Sequence, residues 1–195
     1  DPLNHISQFA YTSAGLVQWV TDAHNRMTRF EYDNRGNRTA TVDAMNQRTT
    51  FDYDLMNRLT SITFPTTPAT STLLTYDSRG RGISVTDPNV KTTTYAYDDA
   101  DRLISVTDAQ SAGGVTRYEY DPESNLISVI DALQRTTHYE YDANRRLART
   151  IFPSTWSERY IYDAAGNMRS RTDRKDQTIT YRYDELNRLN RKEYP

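Results

Sequence analysis

Along this chain an aromatic or apolar residue recurs two positions before a tyrosine. Phe9, Phe30, Phe51, Leu74, Tyr95, Tyr118, Tyr139, Tyr160 and Tyr181 precede Tyr11, Tyr32, Tyr53, Tyr76, Tyr97, Tyr120, Tyr141, Tyr162 and Tyr183. The residue between is mostly polar, as at Glu31, Asp52, Thr75, Glu119, Glu140 and Arg182. Residues i and i+2 share one face of a strand, so the pattern predicts a strand with an aromatic stripe on one side. Threonine-rich flanks such as Arg48-Thr49-Thr50 and Lys91-Thr92-Thr93-Thr94 suit the same element.

Four residues after each tyrosine comes Gly15, Gly36, Asn57, Gly80, Asp101, Ser124, Arg145, Gly166 or Asn187. Seven of these nine are Gly, Asn or Asp, which enter positive φ at low cost. A tight turn is predicted there, with the aspartate after the tyrosine (Asp33, Asp54, Asp77, Asp98, Asp121, Asp142, Asp163, Asp184) bonding the local backbone. Leu59, Leu103, Leu126, Leu147, Met168 and Leu189 then open a second strand, exemplified by Arg58–Thr63 and Arg102–Thr107. That strand ends at a second turn, marked by Asp22, Asp43, Asp87, Asp108, Asp131 and Asp173, or by Phe64-Pro65, Phe152-Pro153 and Tyr194-Pro195.

The tyrosines are 21 residues apart six times and 23 apart twice, the longer intervals holding extra loop residues at 65–70 and 110–114. The chain therefore divides into nine units, approximately 1–21, 22–42, 43–64, 65–86, 87–107, 108–130, 131–152, 153–172 and 173–195. Asp1-Pro2-Leu3-Asn4-His5 stands in register with Asp131-Ala132-Leu133-Gln134-Arg135. The fold class expected is all-β: an antiparallel β-hairpin meander of about eighteen strands with no helix.

The recurring Tyr-Asp-x-x-Gly-Asn-Arg and Asn-Arg-Leu, each followed by a Thr-Asp or Phe-Pro corner, resemble the YD or RHS repeat over the whole chain. That family includes bacterial Rhs proteins, the C component of insecticidal toxin complexes, wall-associated proteins and teneurins. The resemblance implies a β-ribbon spiralling into a hollow shell, so that this chain would be a curved sheet segment of a shell-like solenoid; in the bacterial toxins the shell encloses a C-terminal toxic domain. The family's plug signature, Asp-Pro-x-Gly-Leu, is missing: Asp1-Pro2, Asp87-Pro88 and Asp121-Pro122 do not continue with Gly-Leu. Nine units are also few for a closed cage, so the sequence reads as a stretch of a larger protein with no toxin domain of its own.

Composition narrows the chemistry. The 195 residues carry 24 Lys and Arg against 26 Asp and Glu, a mean hydropathy of −0.85 and no cysteine. Near-neutral charge argues against strong nucleic-acid steering, and no apolar stretch is long enough to insert into a membrane as a helix. His5, His24 and His138 occupy unrelated places within their units, so neither a metal site nor a Ser–His–acid arrangement is expected. Each turn offers about one aspartate, too few oxygens for calcium. Arginine outnumbers lysine 21 to 3. It is read as pairing across strands with acidic residues and lying flat on tyrosine rings, against the alternative of phosphate or sulfate binding. Residues 131–195 are mildly basic, with 13 Lys and Arg against 10 Asp and Glu. The tyrosine ladder is read as packing that joins hairpins, each hydroxyl free to face water, against the alternative of a sugar platform.

The expectation is a non-enzymatic, cofactor-free segment of a secreted or cell-surface bacterial protein whose partner is its parent's own C-terminal cargo. The alternative is an extracellular carbohydrate-binding or adhesion module with a glycan partner. Open sheet edges on a cut-out fragment favour self-association. The repeat-defining residues are Tyr11, the eight Tyr-Asp pairs from Tyr32-Asp33 to Tyr183-Asp184, and Gly36, Gly80 and Gly166.

Overall fold

The computed structural model describes residues 6–109 and 113–195. The register of Asp1–His5 and residues 110–112 of the 110–114 insertion lie outside them. The described residues form strands joined by turns, in two compact units, residues 1–94 and 95–195. The first holds β1 (Gln8–Tyr11), β2 (Val17–Thr21), β3 (Met27–Tyr32), β4 (Arg38–Val42), β5 (Arg48–Tyr53), β6 (Leu59–Phe64), β7 (Thr70–Tyr76), β8 (Gly82–Thr86) and the start of β9 (Thr92–Tyr97). The second holds the rest of β9 with β10 (Leu103–Thr107), β11 (Val115–Tyr120), β12 (Leu126–Ile130), β13 (Thr136–Tyr141) and β14 (Leu147–Ile151). It continues through β15 (Ser157–Tyr162), β16 (Met168–Thr172), β17 (Thr178–Tyr183) and β18 (Leu189–Glu193). Within each unit, strands pair antiparallel with their chain neighbours, as the period-2 pattern predicts.

Both kinds of turn share one geometry. In the first, Gly36 N–H donates to the Asp33 carbonyl at 3.1 Å and Asp33 N–H to the Asn37 carbonyl at 2.9 Å, closing a three-residue loop. All nine residues at the position of Gly36 have positive φ, including Ser124 at 68° and Arg145 at 60°. The second turns repeat this, with positive φ at Asn25, Asn46, Val90, Gln134, Thr155 and Asp176. Phe152-Pro153 follows the same path: Thr155 N–H donates to the Phe152 carbonyl, and the proline sits where a turn wants φ preset.

A bulge accompanies each first turn whose strand register is described. Tyr53 stands opposite Leu59 but Asp52 opposite Ser61, leaving Thr60 as an extra residue. Thr39 and Ile83 are extra in the same way in the first unit, as are Ile127, Ala148, Arg169 and Asn190 in the second. The hairpins of the second turns keep regular register. Bulges bend a strand and steepen its right-handed twist, so the bend enters once per repeat at a fixed place.

Neither unit has a conventional core. Among the described residues only Ala40 and Val42 are buried apolar side chains. Ala40 is covered because Arg48 on β5 reaches Glu31 on β3 across β4, with Arg48 Nη2 2.7 Å from Glu31 Oε2. Stability must therefore come from strand ladders and from contacts between successive repeats.

Val90 shows how firmly the turn imposes its geometry. It is β-branched, 84% exposed, and held at φ 62°. A left-handed conformation costs such a residue about 1–2 kcal/mol with no packing in return. Replacing Val90 by Asn should stabilise the chain by about 1 kcal/mol and raise its melting temperature by about 2–4 °C. Thermal unfolding followed by circular dichroism checks this; an unchanged or lowered midpoint would mean that the turn stores no strain at Val90.

Candidate functional site

The repeat-defining residues converge along the edge formed by the first turns, where each has a separate task. The bulge leaves the opening residue of each second strand beyond the next ladder: β6 pairs with β7 only from Ser61 opposite Leu73, so Leu59 lacks a strand partner on that side. The Tyr76 hydroxyl donates to the Leu59 carbonyl at 2.7 Å. Tyr32 and Tyr53 do the same for Val17 and Arg38, at 2.8 and 3.0 Å. In the second unit Tyr120, Tyr141, Tyr162 and Tyr183 donate to Leu103, Leu126, Leu147 and Met168 at 2.9, 2.9, 3.0 and 3.1 Å. These hydroxyls do not face water as the sequence led us to expect; a carbonyl of the preceding repeat takes them. Burial pushes the Tyr120 and Tyr141 phenols above their ordinary range. Tyr11 is exposed, and Tyr97 ends β9.

Each aspartate holds its own turn. Asp54 Oδ1 accepts the amides of Met56 and Arg58 at 2.8 and 3.0 Å, while Oδ2 accepts Arg58 Nε at 2.7 Å. Asp33, Asp77, Asp98, Asp121, Asp142, Asp163 and Asp184 accept the amide of the fourth residue on in the same manner, and so do Asp22, Asp131 and Asp173 in the second turns. Gly36, Gly80 and Gly166 supply positive φ of 86°, 87° and 93°.

The residue after the glycine position carries the link onward. Arg58 pairs with Asp54, lies 4.7 Å from the Tyr76 ring centroid and donates to the Asp77 carbonyl at 3.3 Å. Arg102 and Arg146 repeat this on Tyr120 with Asp121 and on Tyr162 with Asp163. Where Asn stands instead, Asn37 Nδ2 donates to Asn57 Oδ1 and Asn167 Nδ2 to Asn187 Oδ1, both at 2.9 Å. Sequence reasoning placed the arginines on tyrosine rings but expected their acidic partners across strands. Seven pair instead across their own turn, four residues away, because the three-residue loop brings those two side chains together, whereas Arg48, Arg149 and Arg171 do pair across strands, with Glu31, Glu140 and Glu158. Arg or Asn at this position in eight of nine units was the available signal.

Other chemistry is sparse. His24 lies in a second turn, its amide bonded to Asp22. His138 lies on β13 opposite Ser128, which itself faces Glu119 on β11. Ser128 is 2% exposed and its Oγ makes no hydrogen bond, so this row holds no activated hydroxyl.

The repeat model described as RHS Repeat matches residues 11–44, 76–112, 120–155 and 162–195, well over half the sequence. The chain belongs to the RHS repeat family. Solved structures share its fold. The crystal structure of TcdB2-TccC3 without its hypervariable C-terminal region matches with a TM-score of 0.75 at 17% identity, over 96% of this chain and 12% of its own length. TcdB2-TccC3 itself gives 0.74 at 19% over the same shares. The Photorhabdus luminescens Tc holotoxin pore, carrying a TccC3 mutation, gives 0.73 at 20%, again over 96% and 12%. This RHS chain thus spans about an eighth of those structures. No curated protein matches it in sequence.

Two tests address the site. Tyr141→Phe deletes one inter-repeat hydrogen bond and strands the Leu126 carbonyl, which should cost about 1 kcal/mol. Tyr139→Phe removes a hydroxyl without such a bond and should cost clearly less; equal melting temperatures for the two variants would refute the role of the tyrosine hydroxyl.

The second test is acid. The side-chain and backbone bonds from Arg26 bring Asp22 down from 3.8 to about 2. Bonds from Arg135 and Arg146 likewise hold Asp131 and Asp142 below the usual carboxylate range. Folding keeps these groups charged, so their stabilisation is complete above about pH 4 and disappears as the pH falls through the folded value, about 2 for Asp22. Circular dichroism should show the strand signal steady from neutral pH to about 4 and lost on the way to about 2. Unfolding that begins well above that window would contradict the assignment.

Proposed function

We propose that this chain is a non-enzymatic length of RHS shell wall, part of a larger secreted or cell-surface bacterial protein that encloses its own C-terminal toxin or effector domain. The nine units from 1–21 to 173–195 are the modules of that wall. The observation that carries the reading is the relay that recurs along the first-turn edge within each compact unit. Within each compact unit the turn aspartates, the tyrosine hydroxyls and the linking arginines are spent on their own turn or on the neighbouring repeat, as at Asp54, Arg58 and Tyr76 and at Asp142, Arg146 and Tyr162. Residues so engaged are committed to continuing a sheet. The fold shared with TcdB2-TccC3 over 96% of the chain supports the same reading. The tyrosine stripe is a poor sugar platform in this arrangement, since its hydroxyls are bonded to carbonyls and several rings lie under guanidinium groups.

Limited proteolysis of the full-length parent, with mass spectrometry of the surviving and co-purifying pieces, tests the proposal. A C-terminal piece that is cleaved yet stays associated, and resists protease until the repeats are denatured, is expected. A downstream region that digests freely under native conditions would remove encapsulation.

A further inference from the structure

The aromatic face changes character in the last two repeats. Two strand positions on it are occupied elsewhere by hydroxyl-bearing or aliphatic residues. The first reads Thr28, Thr49, Thr72, Thr93, Thr116 and Thr137, then Glu158. The second reads Val20, Thr41, Ile62, Val85, Val106, Val129 and Thr150, then Arg171 and Lys192. The residue after the second-turn corner is Ala or Pro in earlier units, and here it is Arg174.

These departures meet in one place. Glu158, 8% exposed, accepts the Tyr160 hydroxyl and Arg171 Nη2, both at 2.9 Å, and Arg174 Nε lies 3.6 Å away. Arg174 also packs on the Phe152 ring at 4.8 Å. Trp156, Glu158, Arg171, Asp173, Arg174 and Lys175 line a cavity of about 370 Å³. Along the same face, Lys192 stands opposite Tyr181, 5.7 Å from its ring.

Stability does not account for the cluster. Six other repeats hold both positions with Thr, Val or Ile, and a half-buried ion pair seldom outperforms such residues. Arg171 Nε is closed off from water without a partner, a further cost. What the cluster does provide is a cradle of guanidinium and phenol groups already satisfied by a carboxylate, with Lys175, Lys192 and the outer parts of both arginines open beside it.

We propose that this cationic end of the aromatic face is a docking site for an acidic polypeptide segment, whose carboxylates are taken by Arg171, Arg174, Lys175 and Lys192. Guanidinium groups grip isolated carboxylates two-pronged, and rings alongside supply apolar contact. A nucleic acid fits less well: Glu158 and Asp173 stand among the cations, where a continuous row of phosphates would run against them. The inference is independent of whether the parent encloses a cargo.

The test uses the full chain with a fluorescein-labelled oligo-glutamate peptide, a neutral Gly-Ser peptide and oligothymidylate, read by fluorescence anisotropy. The combined variant Glu158→Thr, Arg171→Val, Arg174→Ala and Lys192→Thr restores residue types that the same positions carry in other repeats, so its strand signal should survive. A charge-matched control, Arg117→Thr with Arg159→Thr, removes the same net charge from the opposite face. Saturable, salt-sensitive binding of oligo-glutamate, weakened about tenfold or more in the first variant and little in the control, is expected. Absence of binding, equal weakening in both variants, or tighter binding of oligothymidylate than of oligo-glutamate would each overturn the proposal.

Discussion

A strand that bulges next to a turn leaves a backbone carbonyl without a strand to pair with, and a buried carbonyl cannot be left alone cheaply. In this chain every such carbonyl for which the tyrosine bond is described is answered by a phenol from the next repeat. The tyrosine is thus fixed in place by a backbone defect rather than by packing alone. Its position then fixes the aspartate beside it, which must close the following turn, and the arginine or asparagine that the turn delivers back to the edge. Phenylalanine would fill the same space and fail to answer the carbonyl.

The relay explains why a sheet with almost no buried apolar side chains can be a stable architecture. Each hairpin alone would be marginal. Joined to the next by a hydroxyl, a guanidinium over a ring and a bond to a turn carbonyl, it gains several small contributions that recur with every repeat. The two solutions at the linking position follow one logic. Arginine spans to the next tyrosine and turn carbonyl by length, as at Arg102. Asparagine is short, and Asn37 and Asn167 succeed because the next turn offers Asn57 and Asn187 with a side-chain oxygen in reach.

Much of this was legible in the sequence. Period-2 aromatics and Tyr-Asp spacing located the strands, the first turns and the corner residues. The bulge was not read, though its trace is there: Leu59 and Ile62, or Leu126 and Val129, are three apart in strands where an apolar face should repeat every two. Two alternating patterns offset by one residue imply an extra residue between them. The left-handed second turns were hidden because Val90, Gln134 and Thr155 are residue types that do not advertise positive φ; the hydrogen-bonded loop imposes it. The partners of the turn arginines were misassigned for a related reason, since sequence separation within a three-residue loop says little until the loop's path is known, whereas Arg48, Arg149 and Arg171 pair across strands as expected.

A repeat also supplies its own reference for what each position needs. Thr, Val and Ile alternate freely where only a strand former of moderate size is required, and that tolerance gives weight to a position where several residues depart together. Glu158, Arg171 and Arg174 depart in adjacent repeats and touch one another, whereas a neutral drift of surface residues would scatter its changes among sites with no contact. Trp19 departs as well, standing where six later repeats have Ala40, Ser61, Ser84, Ser105, Ser128 and Ser170 and two have Arg149 and Arg191. Its neighbours across the strands, Arg29 and Val42, do not form a comparable bonded group with it. Coordinated departure with mutual contact is the stronger physical signal, because in a chain held together by repetition each broken rule must be compensated locally.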